Sequence, residues 1–454
     1  MKKLFTFLAV LATSTCAIAQ GSAEPLETIY QKFSFTLFDK VLENEDESVI
    51  LSPLSAQIAL SMVQNGAAGN TLAEIQQAMG TNAYTNEQVN EYNQHLAEQL
   101  FYRPSFTYDP EKESEEEARE AYEAAYPICE TANGIWSANS YPLLESYKNQ
   151  LKSFYDAEVG EVDFGTQEGI DVINGWVDDK THHLIPTILN NPNGNILTLL
   201  ANALYFKGSW ASPFNTYLTQ TGKFHLADGS TTDVEMMTVD NLIAATTTSD
   251  KFSTVTLPYG KGDFSMTIFL PTEAQEMPAL THEDWLAATD KNATKKEMVF
   301  TMPKFEIEGN YELSDIFKSL GMEEAFSGAA DFSLMSDYGL SIADIFQSGK
   351  IIVDEKGTEA AAVTVVMMWN GMPSETFVID RPFYFTIENQ STHTILFVGR
   401  MMEIKKPANS PDGINHTPCL PINNHQLYDL SGRAIKQAPH KGIYIDNGRK
   451  VVVK

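Results

Sequence analysis

Few residues in this chain are spaced for bond-making chemistry. It holds no Gly-x-Ser-x-Gly elbow, phosphate-binding loop, His-Glu-x-x-His or Cys-x-x-Cys, so the common patterns for a nucleophile, a phosphate or a bound zinc ion give no lead. Cys129 with one of nine histidines as its base is a formal nucleophile that rests on composition alone. His182 and His183 lack a carboxylate or thiol at ligand spacing, so they read as structural or exposed, and no metal or cofactor is expected. The acidic pairs are too numerous to single out a general acid and base. One segment stands apart. From Glu355 to Pro373 the order is Glu-Lys-Gly-Thr-Glu-Ala-Ala-Ala-Val-Thr-Val-Val-Met-Met-Trp-Asn-Gly-Met-Pro. Small residues come first and β-branched ones later, between Gly357 and a turn cluster from Trp369 to Ser374. The stretch fits either an exposed loop or a sheet strand, and Ala360 to Ala362 alone would also suit a helix.

The frame that must carry this segment is large. With 454 residues, 43% hydrophobic and 20% charged, the chain can bury a big core, and length alone suggests two or three domains. A formal charge of −29 argues against nucleic acid or an anionic membrane as partner, because phosphate binding needs clustered Lys and Arg; high solubility is the plainer reading. Lys2 and Lys3, the apolar run Leu4 to Ala12 and Ala17-Ile18-Ala19 fit a secretory signal cleaved after Ala19. Cys16 invites a lipoprotein reading, but Thr13-Ser14-Thr15 lacks the expected Leu. No later stretch reaches the roughly 18 apolar residues of a membrane span, so a soluble exported protein is expected. Cys129 and Cys419 then either pair in an oxidising compartment or stay free and buried.

Helices are expected early. Ser52-Pro53 opens one with an N-cap and a first-turn proline, putting Leu54, Ile58 and Met62 on one face. Thr71-Leu-Ala-Glu74 reads as a capping box for the next, with Leu72, Ile75 and Met79 inward and Gly80 as its stop. Phe106 to Tyr126, with seven glutamates from Glu111 to Glu123, reads as a solvated helix or mobile loop. Ile170, Ile173 and Val177 mark an exposed-looking amphipathic helix that ends before Pro186. Strands follow. Ile196 to Phe206 is apolar enough for a central strand covered on both faces. Phe264, Met266, Ile268 and Leu270 alternate after a Tyr-Gly-Lys-Gly turn, predicting one buried and one partly exposed face. A helix is predicted over Asn310 to Leu320. Strands at Phe383 to Ile387 and Thr394 to Met401 flank an Asn-Gln-Ser-Thr turn. The class is α+β. Residues 406–424 read as a Pro, Asn, Gly and Ser linker, and 425–454 as a small β tail.

Five strings, in order, carry a resemblance that composition could not supply. They are Leu51-Ser-Pro-Leu-Ser-Ala-Gln-Ile-Ala-Leu60, Asn202-Ala-Leu-Tyr-Phe-Lys-Gly-Ser-Trp210, Met302-Pro-Lys-Phe305, Glu355-Lys-Gly-Thr-Glu-Ala-Ala-Ala362 and Arg381-Pro-Phe-Tyr-Phe385. Over about Thr28 to Lys405 the chain resembles a serpin. The resemblance implies a serpin domain over 20–405, with a large central β-sheet, surrounding helices, and an exposed reactive-centre loop that a protease attacks. It implies a hinge of Glu355, Gly357, Thr358, Ala360, Ala361 and Ala362. Ser52, Ser55 and Asn202 resemble the shutter beneath the opening sheet, Trp210 the aromatic at its top, and Lys304 the partner of Glu355. If exposed, that ion pair contributes only about 0–1 kcal/mol and is a latch rather than a pillar. Gln347 stands where many serpins carry a shutter His, which puts pH-sensitive opening through that residue in doubt. The tail resembles the sorting tails of the type IX secretion route of some Gram-negative bacteria, implying export beyond the outer membrane, with the product extracellular or held at the cell surface.

The interval from Glu355 to Pro382 places the scissile bond at Gly371-Met372, within one or two residues. Met372-Pro373 is a poor target. Gly371 suits an elastase- or subtilisin-like protease, whereas a cut after Met368 or Trp369 would suit a chymotrypsin-like one. In an inserted strand Thr358, Ala360, Ala362 and Thr364 share the inward face, all small, and Glu359 points outward. The expectation is a monomeric suicide-substrate inhibitor of serine endopeptidases, with papain-like cysteine endopeptidases as a further target class. A non-inhibitory serpin that binds or carries a ligand is the alternative, and a metal hydrolase or a cysteine hydrolase built on Cys129 a distant third.

Overall fold

In the computed structural model the described residues are 23–405, apart from 274–276, 291–292, 344 and 359–374, together with 427–428, 434–435, 442–446 and 449–453. The chain divides into two compact units, Met1–Lys405 and Lys406–Lys454.

The first unit begins with helices α1 (Leu26–Leu42), α2 (Pro53–Gly66), α3 (Gly69–Met79) and α4 (Asn86–Leu100). The helix α2 starts as its sequence dictates, with Ser52 Oγ accepting from Ser55 N at 3.3 Å and Pro53 in the first turn. Nearly all of it is buried rather than one face, since it forms the centre of the helical layer. The α3 start differs from the capping box read at Thr71. The helix begins at Gly69 with Ala68 as its N-cap, three residues earlier. Thr71 Oγ1 donates to Glu324 at 2.7 Å and accepts from Asp331 N at 2.9 Å, and Glu74 accepts from Glu324 N. A long-range partner took both side chains that a local cap would have used. Gly80 ends α3 at φ 75°, a left-handed stop that suits glycine.

Helices α5 (Glu115–Ala125), α6 (Glu145–Tyr155) and α7 (Gln167–Lys180) alternate with strands, and α8 (His282–Ala288) and α9 (Ser314–Ser319) are short. A true capping box starts α5, between Ser114 and Glu117. Ile170, Ile173 and Val177 of α7 are buried while residues between them are exposed, as an amphipathic surface helix requires.

Six strands form one sheet, in the order β10 (Phe305–Glu312), β11 (Phe346–Val353), β12 (Gly357–Thr358), β4 (Thr198–Ser209), β2 (Ile128–Ala138) and β3 (Glu158–Val162). The predicted helix does not begin at Asn310. Asn310 to Glu312 finish β10, paired with Ser348 to Phe346 of β11, and the helix starts only at Ser314. Phe305, Ile307 and Gly309 are the buried positions, a period of two that belongs to a strand. The apolar run in β4 starts at Thr198, and burial alternates along it, so one face is only half-covered.

Nine strands form the second sheet. Its main path runs β1 (Val49–Leu51), β15 (Thr394–Met401), β14 (Phe383–Asn389), β8 (Phe264–Pro271), β7 (Phe252–Tyr259), β6 (Thr231–Thr248), β9 (Thr294–Pro303) and β13 (Thr376–Val378), with β5 (Gln220–His225) on β6. All eight residues of β8 are buried, against the expected half-exposed face. Both faces of this strand lie inside the unit, and its polar side chains are satisfied internally. Ser265 Oγ and Thr267 Oγ1 donate to Glu388 at 2.9 and 2.6 Å, and the Thr386 hydroxyl donates to the same carboxyl. The second unit holds a small sheet, β17 (Ala434–Ile435), β16 (Leu427–Tyr428), β18 (Gly442–Asp446) and β19 (Arg449–Val453).

Burial pushes the Glu388 carboxyl up to about 7, because desolvation outweighs the hydroxyl donors. The native state therefore binds this proton more tightly than the unfolded chain does. The group's contribution is full below its unfolded value near 4.3 and is lost as pH rises through about 7. Glu388→Gln should raise the melting temperature by a few degrees at about pH 8 and flatten its fall from about pH 5.5 to 8. Thermal scans at the two pH values check this, and an unchanged slope would show that the group does not titrate in that window.

Candidate functional site

One end of the six-stranded sheet gathers Trp210, Lys304, Glu355, Gly357 and Thr358 from among the residues picked out by sequence. Among the described residues no ladder joins β4 and β11 directly; each pairs instead with β12. Val353 faces Thr358 across one side, while Gly357 and Thr358 face Ser209 and Gly208 across the other. Gly357 is required by this approach, since a Cβ there would lie 2.0 Å from the Gly208 carbonyl oxygen. Thr358 is 1% exposed. Its hydroxyl pairs with the Tyr259 hydroxyl at 2.6 Å. Burial pushes the Tyr259 phenol far above its ordinary value, which keeps it neutral.

The approach to β12 is fixed by backbone contacts. Trp210 N donates to Lys356 O at 2.8 Å and Phe214 N to Glu355 O at 2.8 Å. Trp210 Nε1 donates to Asp354 O at 2.9 Å, and its ring stacks on Tyr259 with centroids 4.4 Å apart. The Asp354 carboxylate accepts from Lys356 N and Gly357 N, closing the turn that leads into the strand.

Lys304 Nζ lies 2.8 Å from Glu355 Oε1, which also accepts from Thr219 Oγ1 at 2.8 Å. The pair is not exposed on its acidic side, because Glu355 is 7% exposed. Burial alone would raise the Glu355 carboxyl, but Lys304 and Thr219 outweigh it and hold it below the ordinary carboxylate value. Removing Lys304 would strand a buried carboxylate, which costs more than losing a surface pair.

A second cluster lies at the N-terminus of α2. Gln347 on β11 grips Ser52 with both ends of its amide. Its Oε1 accepts from Ser52 N at 3.2 Å, and its Nε2 donates to Ser52 O at 2.6 Å. Ser55 Oγ donates to Asn202 O of β4 at 3.4 Å, and Asn202 Nδ2 donates to Thr131 on β2 at 3.1 Å. Thus α2 ties together the strands on either side of β12. Ala360, Ala361, Ala362, Gly371 and Met372 lie outside the described residues.

Other candidates separate from this site. Cys129 is 2% exposed on β2, and burial pushes its thiol far up, the opposite of an activated nucleophile; Cys419 lies outside the described residues. His182 and His183 do find carboxylates, Glu130 at 2.9 Å and Asp178 at 2.8 Å. Both side chains are exposed just beyond α7, where the backbone is left-handed at φ 50° and 68°. Sequence reading missed Tyr259 and Thr219. The string Pro258-Tyr259-Gly260 announced a turn, and nothing local tied its phenol to a residue 99 positions away.

A family model described as Serpin (serine protease inhibitor) matches residues 28–404. The chain is 33% identical over 384 residues to Serpin B6 of Bos taurus, covering 81% of this chain and 96% of that protein. Among solved structures it is similar to a thermophilic serpin, tengpin, in its native state. That match has 28% identity and a TM-score of 0.72, and covers 84% of this chain and 95% of the other. It is also similar in fold to human thyroxine-binding globulin complexed with thyroxine, at 24% identity and a TM-score of 0.74, covering 84% and 99%.

Tyr259→Phe should leave the Thr358 hydroxyl buried without its partner and lower stability by about 1–3 kcal/mol. Adding Thr358→Val should restore much of that loss, because both partners are then apolar. Urea midpoints of the two variants check the pairing, and equal losses in both would show that the hydroxyls do not interact.

Proposed function

Because the chain belongs to the serpin family, whose members are generally protease inhibitors rather than enzymes, we propose that it is a secreted suicide-substrate inhibitor of serine endopeptidases. The observation that supports this is the seating of the hinge. The segment before the loop enters the sheet at Gly357-Thr358, between β4 and β11, with a small buried side chain at its first inward position. A charged or large residue there would have to be buried without a partner.

In this reading a protease serine oxygen attacks the Gly371 carbonyl carbon. The Gly371-Met372 amide breaks, the proton from the serine leaves on the new amine of Met372, and an ester joins protease to Gly371. The freed loop then follows Thr358 into the seam as a strand. About 15 residues at roughly 3.3 Å each carry the ester about 50 Å. Displacing catalytic groups by about 1 Å already costs roughly 100-fold in rate, so the dragged protease cannot complete hydrolysis. About ten new ladder hydrogen bonds at ~1 kcal/mol net each supply on the order of 10 kcal/mol, which requires an uncleaved fold that is held kinetically.

The same reading gives residues 1–19 the role of a cleaved secretory signal and the 425–454 tail that of an export signal, placing the inhibitor outside the cell. Among the described residues no helix is long and apolar enough to cross a membrane. The target has an elastase- or subtilisin-like preference for a small residue before the cut, and the inhibitor acts as a monomer.

Incubation with elastase-, subtilisin- and chymotrypsin-like enzymes should yield a covalent complex that survives SDS, and nicking the loop should raise heat resistance sharply. Cleavage with neither outcome would make the chain a plain substrate and favour a binding or carrier role. Thr358→Arg should cut the yield of complex by at least about tenfold while leaving the loop cleavable, since a cation cannot be buried unpaired at the place Thr358 occupies in the seam. Gly371→Arg should redirect the loop to trypsin-like enzymes; if it does not, mass spectrometry of the released peptide will place the bond elsewhere.

A further inference from the structure

The acidic segment 101–126 is more than a solvated appendage, because its inner side is packed on the turn that grips the hinge. Its core is aromatic. Phe106 and Tyr122 meet edge to face at 5.6 Å, and Tyr122 meets Tyr126 at 5.1 Å. Three cations cap these rings: Arg119 over Phe106 at 4.6 Å, Arg103 over Tyr122 at 4.9 Å, and Lys261 over Tyr126 at 4.1 Å. Arg103 also donates to Tyr126 O at 2.9 Å. Its acidic residues from Glu111 to Glu123 point outward, so the attraction to the turn comes from ring faces and backbone rather than from the carboxylates.

Lys261 belongs to the turn between β7 and β8, not to the segment itself. Its backbone N donates to Ala125 O at 3.1 Å, and its ammonium meets the Tyr126 hydroxyl. The adjoining Gly260, at φ 49°, sits so close that a Cβ would lie 2.4 Å from that same Ala125 oxygen. From this turn two short routes reach the hinge. Gly260 N donates to Ser209 O at 2.8 Å, and Ser209 is the ladder partner of Gly357. Tyr259, one residue earlier, stacks on Trp210 and holds the Thr358 hydroxyl.

We propose that residues 101–126 form a strap that positions the hinge: docked on Gly260 and Lys261, it fixes the Tyr259 ring and the Ser209 carbonyl, and so keeps Gly357-Thr358 seated between β4 and β11. The proposal deepens the inhibitory reading, since a seated hinge matters most if the loop is to follow it. A strap that undocks loosens the entrance of the seam without touching the loop. Any ligand that captures the released strap would then act on the hinge from outside the protease-binding region.

Hydrogen exchange on the full-length protein tests this, comparing wild type with two variants that leave the turn itself intact, Tyr126→Ala and the double variant Arg103→Ala/Arg119→Ala. Exchange in α5 reports whether the strap has undocked, and exchange in the peptide spanning 354–358 reports hinge seating. The expected result is faster exchange in α5 together with a rise of at least about tenfold in the hinge peptide. A loosened α5 with an unchanged hinge would overturn the proposal. So would an α5 that stays protected in both variants, since these contacts would then not hold it. A wild-type chain that gains no heat resistance on nicking would sink the inhibitory reading, while the exchange result would still decide the strap.

Discussion

Sharing one short strand between two neighbours is the constraint on which the rest of this structure depends. Strands β4 and β11 belong to one sheet, yet in the described residues each takes its ladder partner from Gly357-Thr358. A strand with neighbours on both edges has no free side, so whatever occupies it must supply a donor and acceptor at every step and small side chains on its covered face. That single requirement explains the glycine that slips under the Gly208 carbonyl, the buried threonine, and the ring of Trp210 and Tyr259 that lines the entrance. It also explains why the preceding turn is so heavily tied. Asp354, Glu355 and Lys356 all offer backbone carbonyls to Trp210 or Phe214, which fixes the direction in which the chain must enter.

Two tethers work on this seam at different heights. At its mouth, Lys304 and Thr219 hold Glu355. Deeper, Gln347 and Asn202 reach from β11 and β4 to the N-terminus of α2. The second tether spans the seam through a helix rather than across it, so the strands can separate only if α2 lets go of one side. Individual hydrogen bonds of this kind contribute about 1 kcal/mol net, small enough to exchange during strand entry and large enough in number to keep the sheet closed beforehand.

Much of this was legible in the chain, and the rest failed for identifiable reasons. Ser52-Pro53 specified its helix because capping is local, and the turn at Asn389 to Thr392 was legible because its side chain caps its own loop, with Asn389 Oδ1 accepting from Ser391 N and Thr392 N. Thr71 misled because its hydroxyl found Glu324, 253 residues away. Asn310 to Glu312 read as helix because the polar strand ending and the helix after it form one mixed pattern. The alternation in β8 was real, but the inference that its polar face met water was not, since Glu388 from β14 absorbs those hydroxyls. Tyr259 escaped because its role exists only once Thr358 arrives. Sequence periodicity reports which faces are apolar; it carries no information on which distant side chain completes a polar one.

Gln347, which binds Ser52 at the N-terminus of α2, is an amide and supplies no pH response of its own. The amide holds Ser52 through one donor and one acceptor in a fixed sense, and it does not titrate. Two buried carboxyls, Glu355 and Glu388, are shifted in opposite directions. Glu355 is held below its ordinary value by Lys304 and Thr219 against the effect of burial, so its contribution is present above the unfolded value and fades as pH falls through the lowered one. Glu388 is raised to about 7 by burial, so its contribution fades as pH rises through that point. The first group sits at the mouth of the seam and the second in the other sheet. Acid therefore weakens the hinge latch, whereas a rise through about pH 7 removes the contribution of Glu388 in the other sheet and leaves the already ionised latch unchanged.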